Sequence, residues 1–588
     1  PRYETVGGLT CYPSVTAIPG DVDAALLAVP KARIADMLVE CGAKGVKAAV
    51  VISSGFAEAG PEGRADELAI LALARSHGIR LLGPNCFGFF NSHACVNLFG
   101  SASLLTRPML RGRIGFVTQS GALAASVVDR AQERGIGLSY VISTGNQADI
   151  NNVECVEHLV EDENTNVVAL FAEGLGHAAR FRAAMQRAAE LGKPCLVLKT
   201  GSSEVGRQAA LAHTGSLAGD DAVYDAVFRQ DGVIRCQDPE ELFLGAALLA
   251  NHCGTVAPGA GARMAVISMS GAMGGLLADG AARFGIPMAD LAPATRQALN
   301  AVPGVSGSLN PLDAAMSTWS GGFGAVGELA GMLARDPGVD VVMLALSGLP
   351  YAERVVDDCA ASVRAAGKVF VPMWAGDHSE MDRAVARLAG EGVTVYDTAA
   401  DALRALRALS MYRRHQHSLG RGRLAVEQPQ VDHARIVAAR RLLQATGPAL
   451  AEHPSKQLLA LYGVGIPREE IADSAAAAVA AAGRIGYPVA LKIHSPDIAH
   501  KTEAGGLRLG LTNAAQVTEA FGEVMANASA YRPGAQLDGV LVAPMAPAGL
   551  EMIVGAYRDA EFGPVLLVGL GGVLVGVLRD TVLRVAPV

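Results

Sequence analysis

The sequence predicts an α/β protein of several domains, built on parallel sheets and ending in a domain of different texture. Three observations carry this. First, a short apolar run, a Gly/Ser/Asn/Pro turn and an Ala-rich helical stretch recur in that order along the chain. The runs are Val22 to Pro30, Val46 to Gly55, Ile79 to Asn85, Arg113 to Gly121, Leu138 to Gly145, Val167 to Gly174, Pro194 to Gly201, Arg263 to Gly271, Val339 to Gly348 and Val369 to Gly376. Continuous apolar strands alternating with helices mean parallel sheets covered on both faces. Second, glycine supplies 68 of 588 residues, as many tight strand-to-helix turns require. Third, the runs at Val540–Pro544, Glu551–Tyr557 and Pro564–Val568 look antiparallel and hairpin-linked, unlike the rest.

Composition shifts near 250–262 and a softer break at Arg107 to Gly112 divide the chain. An Arg-, His- and Gln-rich stretch marks a linker over 413–449. Four units result: 1–108, 109–254, 260–412 and 450–588. The second and third echo one another, each opening with a strand that ends in Ser-Gly-Ala, at 120–122 and 270–272.

Hydrophobic residues make up 51% and charged residues 18%, enough for several cores and too little charge for disorder. A net charge of −8 without a basic stripe argues against a nucleic-acid partner. No apolar run reaches the roughly 18 residues of a membrane helix, and no signal peptide is seen. The nine cysteines are scattered and odd in number, with no C-x-x-C pair, which fits a reducing cytosol rather than a disulfide framework. The sequence leaves a homo-oligomer open. With Pro1 first and a strand-like run just before Val588, both ends are expected to be truncated.

The strongest chemical signal is His213, in Leu-Ala-His-Thr-Gly-Ser-Leu-Ala-Gly (211–219). A lone histidine is more often a surface or capping residue. Here small neighbours allow close approach to phosphate, and a neutral imidazole accepts a phosphoryl group when its other nitrogen is held. Glu173, closing an apolar strand, is the candidate holder, with a helix-capping carboxylate as the plainer alternative. Three helix N-termini could neutralise the phosphoryl group through backbone amides and dipole. One is at Ser120 and Gly121, one follows Gly83-Pro84-Asn85-Cys86, and one is at Ser268 to Gly275, with Gly274 and Gly275. In the last unit Lys492 stands on an apolar strand and needs an anionic partner, for which nucleotide phosphate is suited. The loop 495–506, with His500 and Lys501, reads as a flap over phosphates or, more plainly, as a surface hairpin. Glu551, Arg558, Gly571-Gly572 and Asp580 complete a nucleotide lining, with Asp580 the expected Mg²⁺ ligand.

At these motifs the chain resembles, end to end, the ADP-forming acyl-CoA synthetases, and more distantly succinyl-CoA synthetase. The resembling stretches include Val-Ile-Ser-Ser-Gly-Phe (51–56), Gly-Pro-Asn-Cys (83–86), Gln-Ser-Gly-Ala-Leu (119–123), Gly-Asn-Gln-Ala-Asp (145–149) and His-Thr-Gly-Ser-Leu-Ala-Gly (213–219). Asn310-Pro-Leu-Asp, His-Lys-Thr-Glu-Ala-Gly-Gly (500–506) and Phe562-Gly-Pro with Gly-Leu-Gly-Gly continue them. The resemblance implies a Rossmann-like CoA-binding domain over 1–108, flavodoxin-like ligase domains over 109–254 and 260–412, and an ATP-grasp domain over 450–588. It implies ATP/ADP, coenzyme A and Mg²⁺ as cofactors and a small carboxylic acid as substrate. It makes His213 the phosphorylated histidine, Glu173 its partner, and His500 a second, relaying histidine. Val29, Pro30, Ser53, Ser54 and Asn85 match CoA-contacting positions. The chain departs from the family in starting after its first Gly-rich CoA loop, in carrying Gly576 where a glutamate is usual, and in ending before the last ATP-grasp strands. Two other functions share the architecture: a CoA- or acyl-CoA-sensing module of a protein acetyltransferase, which would need no His213, and a pseudo-synthetase. A citrate-cleaving relative would add a citrate-synthase-like segment, which is not seen.

Overall fold

The computed structural model describes residues 3–100, 110–208, 220–254, 259, 261–303, 305–314, 324–347, 352–375, 385, 387–420, 432–445, 450–571 and 581–587. Two compact units emerge. The first comprises Pro1–Val426, Ile553–Gly569 and Val575–Val588; the second comprises Glu427–Met552 and Leu570–Leu574.

The first unit begins with a short antiparallel pair, β1 (Thr5–Val6) and β2 (Leu9–Thr10). A parallel sheet of β3 (Ala24–Leu27), β4 (Ala48–Val51) and β5 (Arg80–Leu82) follows. Next come β6 (Gly88–Asn91), β7 (Val96–Phe99), β8 (Arg111–Thr118), β9 (Leu138–Ser143), β10 (Val167–Ala172), β11 (Cys195–Lys199) and β12 (Ile234–Cys236). They form one seven-stranded sheet in the order β12-β11-β10-β8-β9-β6-β7. Strands β8 to β12 run parallel, while β6 and β7 add an antiparallel edge. This sheet therefore begins upstream of the Arg107 to Gly112 break.

Its strands are apolar on both faces because both are covered. Side chains alternate across a strand, so Phe116, Ala169 and Leu196 enter one core and Val117, Val168 and Val197 the other. The second core also takes Phe562, Val565 and Val585. These come from an antiparallel sheet of β22 (Met552–Asp559), β23 (Gly563–Leu570) and β24 (Thr581–Val585).

A five-stranded sheet completes the unit. Its strands are β13 (Met264–Ser268), β14 (Val305–Leu309), β15 (Leu312–Ala314), β16 (Val341–Ser347) and β17 (Val369–Ala375), ordered β14-β15-β13-β16-β17. In both large sheets the first parallel strand has a later strand on each side: β9 and β10 beside β8, and β15 and β16 beside β13. The strand order reverses there, and ligands of open α/β sheets bind at the carboxyl ends of such strands. The two Ser-Gly-Ala turns stand at these points.

The second unit is an antiparallel sheet, β18 (Glu470–Ala472), β21 (Val540–Pro544), β19 (Val489–Ile493) and β20 (Leu507–Leu511), in that order. Helices Ala475–Ile485 and Ala514–Tyr531 bury alanine and valine against it. No helix among the described residues is long and apolar enough to cross a membrane.

Gly145 follows β9 with φ +54°, and a Cβ there would lie 2.3 Å from the Pro84 carbonyl oxygen. Gly145→Ala is therefore expected to lower the melting temperature by roughly 5 °C in calorimetry. Gly174→Ala, with nothing within 4 Å of its Cβ, is the control and should leave it unchanged.

Candidate active site

Three parallel strand ends are laced together before any catalytic group is placed. The Ser53 hydroxyl, after β4, donates to the carbonyl of Val29, after β3. The Asn85 N–H, after β5, donates to the Ser53 carbonyl at 3.0 Å. Asn85 holds a left-handed φ of +57°, which asparagine tolerates better than most residues. Its side-chain amide reaches Asn146 at 3.3 Å. From there the Gly145–Asp149 run binds back to β5 and its turn. The Asn146 N–H meets the Pro84 carbonyl at 2.9 Å, and the Ala148 N–H meets that of Gly83 at 3.0 Å. Asp149 accepts the Leu81 N–H at 3.0 Å and Arg80 Nε at 2.7 Å. The Asn146 amide also donates to Glu58 and, at 2.9 Å, to Glu67. Burial pushes the Glu58 carboxyl up, but Asn146 and the N–H groups of Gly55 and Phe56 hold it below its ordinary value.

These loops open onto a cavity of about 490 Å³, lined among others by Glu58, Asn85, Gln119, Asn146, Glu173 to His177 and Asp559 to Glu561. Gln119 follows β8 and its side-chain oxygen accepts the backbone N–H of Glu173 at 2.6 Å and of Gly174 at 3.4 Å. It thus ties the turn after β8 to the turn after β10 across the point where strand order reverses. Ser120 caps the helix Gly121–Glu133, its hydroxyl accepting the Leu123 N–H at 3.3 Å. Gly121 is required there, since a Cβ would lie 2.1 Å from the Phe87 ring. Glu173 is 9% exposed at the cavity wall.

The structure brings Asn85 and Glu173 to this cavity, with Ser120 and Gly121 next to its wall residue Gln119. Val29 and Ser53 support it through the lacing, while Pro30 and Ser54 are exposed. Gly274 and Gly275 do not line it. They lie within the helix Gly271–Arg283, where the Gly274 N–H already donates to the Ser270 carbonyl at 2.9 Å and Gly275 faces open space. His213 lies outside the described residues. Sequence reasoning named neither Glu58 nor Tyr224 and Glu561, which also stand at or beside the wall.

The second unit has its own cavity, about 470 Å³, lined by Glu452, Lys492, Ala499 to Glu503 and Leu507. His500 is exposed on it. Lys492 has an anionic partner within the protein: Glu452, on helix Glu452–Leu461, at 2.8 Å. The same carboxylate pairs with Lys501 at 3.0 Å and Lys456 at 2.7 Å. The loop read as a flap is anchored by buried Ile498 and Ala504, and by the Ser495 hydroxyl donating to the Gln536 carbonyl at 2.6 Å. The Glu551 carbonyl accepts the Gly571 N–H at 2.7 Å, away from this cavity. Gly572, Gly576 and Asp580 lie outside the described residues. Among the described residues no group of three or more His, Cys, Asp or Glu is arranged to hold a metal.

Burial would raise the Glu452 carboxyl, but Lys456, Lys492 and Lys501 hold it far below its ordinary value of 4.5. A carboxylate held low by the fold stabilises it above that ordinary value, and the contribution fades as pH falls through the lowered one. Glu452→Gln is therefore expected to cost about 1–3 kcal/mol at pH 7. It should also flatten the loss of stability between about pH 5 and 2, read as amide exchange of β19.

Comparison with known proteins agrees with this geometry. Residues 1–92 match a CoA binding domain, 111–249 a succinyl-CoA ligase like flavodoxin domain, and 441–588 an ATP-grasp domain. Acetate–CoA ligase [ADP-forming] I of Archaeoglobus fulgidus is 34% identical over 590 residues, covering 100% of this chain and 83% of the relative. The 4-hydroxybutyrate–CoA ligase [ADP-forming] of Nitrosopumilus maritimus is 31% identical over 592 residues, with the same 100% and 83% coverage. Among solved structures, the Ca. Korarchaeum cryptofilum dinucleotide forming acetyl-coenzyme A synthetase 1, in complex with phosphate and ADP, superposes with a TM-score of 0.63. It is 30% identical and covers 72% of this chain and 89% of that one. The chain belongs to the ADP-forming acetate–CoA ligase family.

Proposed function

We propose that this protein joins a carboxylic acid to the thiol of coenzyme A, converting ATP to ADP and phosphate, with His213 carrying the phosphoryl group between. The observation that carries this reading is the position of Glu173 on a cavity whose wall includes Gln119, two residues before the helix Gly121–Glu133. Such a site offers backbone amides to a phosphoryl group and a carboxylate to hold an imidazole N–H.

In the proposed sequence Lys492 and Lys501 hold the nucleotide phosphates. An imidazole nitrogen, of His500 and then of His213 or of His213 directly, attacks the γ-phosphorus; the P–O bond to ADP breaks and a P–N bond forms. The acid's carboxylate oxygen then displaces the imidazole, giving an acyl phosphate. The CoA sulfur attacks the acyl carbon and phosphate leaves. Glu173 keeps the second His213 nitrogen protonated and oriented throughout. The Ser120 N–H is given to the Thr118 hydroxyl at 3.0 Å, so the Gly121 amide and the dipole of the helix that Ser120 caps bear the charge that spreads over the phosphoryl oxygens. Mg²⁺, when bound, neutralises nucleotide phosphate charge, with Asp580 as its proposed holder. Val29, Pro30, Ser53, Ser54 and Asn85 are the proposed CoA contacts. A cytosolic location suits a chain whose nine cysteines are all free.

His213→Ala is expected to abolish both acyl-CoA synthesis and acid-labile labelling from γ-labelled ATP. Full turnover by that variant would refute the reading. Glu173→Gln is expected to keep nucleotide binding but to lower phosphoenzyme yield and kcat by roughly 10–100-fold, as when other carboxylates that orient an imidazole are lost. An unchanged phosphoenzyme would remove its role.

A further inference from the structure

One buried cluster beside the cavity has no part in the chemistry above. Tyr224, on the helix Asp221–Asp231, is fully buried. Its hydroxyl donates to one carboxylate oxygen of Glu561 at 2.5 Å and accepts the Leu175 N–H at 3.4 Å. The other Glu561 oxygen accepts the Gly176 N–H at 2.9 Å. Glu561 is itself held, because Asp559 Oδ1 accepts the N–H groups of Glu561 at 2.9 Å and Phe562 at 2.8 Å, shaping the turn between β22 and β23. The Phe562 ring meets that of Tyr224 edge-on at 4.9 Å, and the buried Lys199 ammonium lies 4.3 Å from the Tyr224 ring centroid. Burial, reinforced by Glu561, pushes the Tyr224 hydroxyl up, so it remains a donor at neutral pH.

Three segments far apart in sequence meet here. One is the turn after β10, which carries Glu173. One is the helix that follows residues 209–219. The third is the β22–β23 turn, 337 residues from Tyr224 and 385 from Gly176. Gly176 has φ +69° and Gly174 meets nothing within 4 Å of its Cβ position. The Glu173–Gly176 backbone is held by Gln119 at one end, by the Asn152 amide donating to the Gly174 carbonyl at 3.1 Å, and by the Tyr224–Glu561 pair at the other end, around the buried Leu175 side chain.

We propose that Glu561 and Tyr224 form a clasp that sets the Glu173–Gly176 loop. Glu561 is then a positioning residue for phosphoryl transfer to and from His213. This rests on the reading of His213 and Glu173 given above. Glu561 touches no reacting atom; it acts through the Gly176 amide on the aim of Glu173. The clasp should matter where Glu173 works and be silent where ATP binds.

The test uses the full chain with Tyr224→Phe, Glu561→Gln and the double variant. Tyr224→Phe keeps the ring against Phe562 and Lys199 and deletes only the hydroxyl. Each single variant is expected to slow discharge of the phosphoenzyme by acid plus CoA, and kcat with it, about tenfold, the scale of one hydrogen bond to a charged group. KM for ATP should not change, while phosphoenzyme yield should fall in the same sense as in Glu173→Gln. The double variant should fall no further than the worse single one, because both break the same link. Amide exchange at Leu175 and Gly176 should speed up in both. Discharge at the wild-type rate in either variant overturns the clasp. So does a rise in KM for ATP by the same factor as the loss of kcat, which would mark a merely structural contact. Absence of phosphoenzyme from the wild-type chain would instead sink the His213 reading and take the catalytic half of this proposal with it.

Discussion

The Gly145–Asp149 loop is hydrogen-bonded through its backbone to Pro84 and Gly83 and through Asp149 to Leu81 and Arg80, and the cavity depends on that seam. Strand β5 belongs to the three-stranded sheet and β9 to the seven-stranded one. Each sheet presents its carboxyl ends to ligand, but only the seam makes the two sets of ends face one space. Buried backbone groups must be paired, and here the pairing partner of one sheet's turn is the other sheet's turn. Gly145 is the residue that lets them approach, since no side chain fits beside the Pro84 and Asn85 carbonyls.

The two cavities handle negative charge by different means. The first-unit cavity is lined by Glu58, Glu173, Asp559 and Glu561 against Arg64 and His177. A dianionic phosphoryl group would be repelled there if those carboxylates faced it bare. Glu58, Asp559 and Glu561 are instead engaged by N–H and O–H donors, so their charge is already met. In the proposed mechanism attraction then comes from Arg64 and from backbone amides, which are fixed in place and need no reorganisation as charge develops. The second unit uses lysines, kept apart and oriented by Glu452.

The parallel architecture was legible because strands buried on both faces must be apolar throughout, as β10 is. Antiparallel β21, β22 and β23 also fall where the sequence expects strands. The start of the seven-stranded sheet was not legible. Its edge strands β6 and β7 are four residues each, too short to shift local composition. At the site, Glu173 stood out as a carboxylate closing an apolar strand. Glu58 and Glu561 did not, because charged residues in turns are usually solvated and their donors come from distant segments. Lys492 shows the same limit. Its need for an anion is local information, but Glu452 lies 40 residues away, on the helix Glu452–Leu461.

In the proposed mechanism the phosphoryl group rests on the protein before it meets the acid. Exchange of isotope-labelled ADP into ATP, with neither carboxylic acid nor CoA present, measures this most directly. A covalent intermediate predicts steady exchange in the intact chain and none in His213→Ala. Exchange that appears only when acid and CoA are both added would mean direct transfer from ATP and would rule out the phosphohistidine.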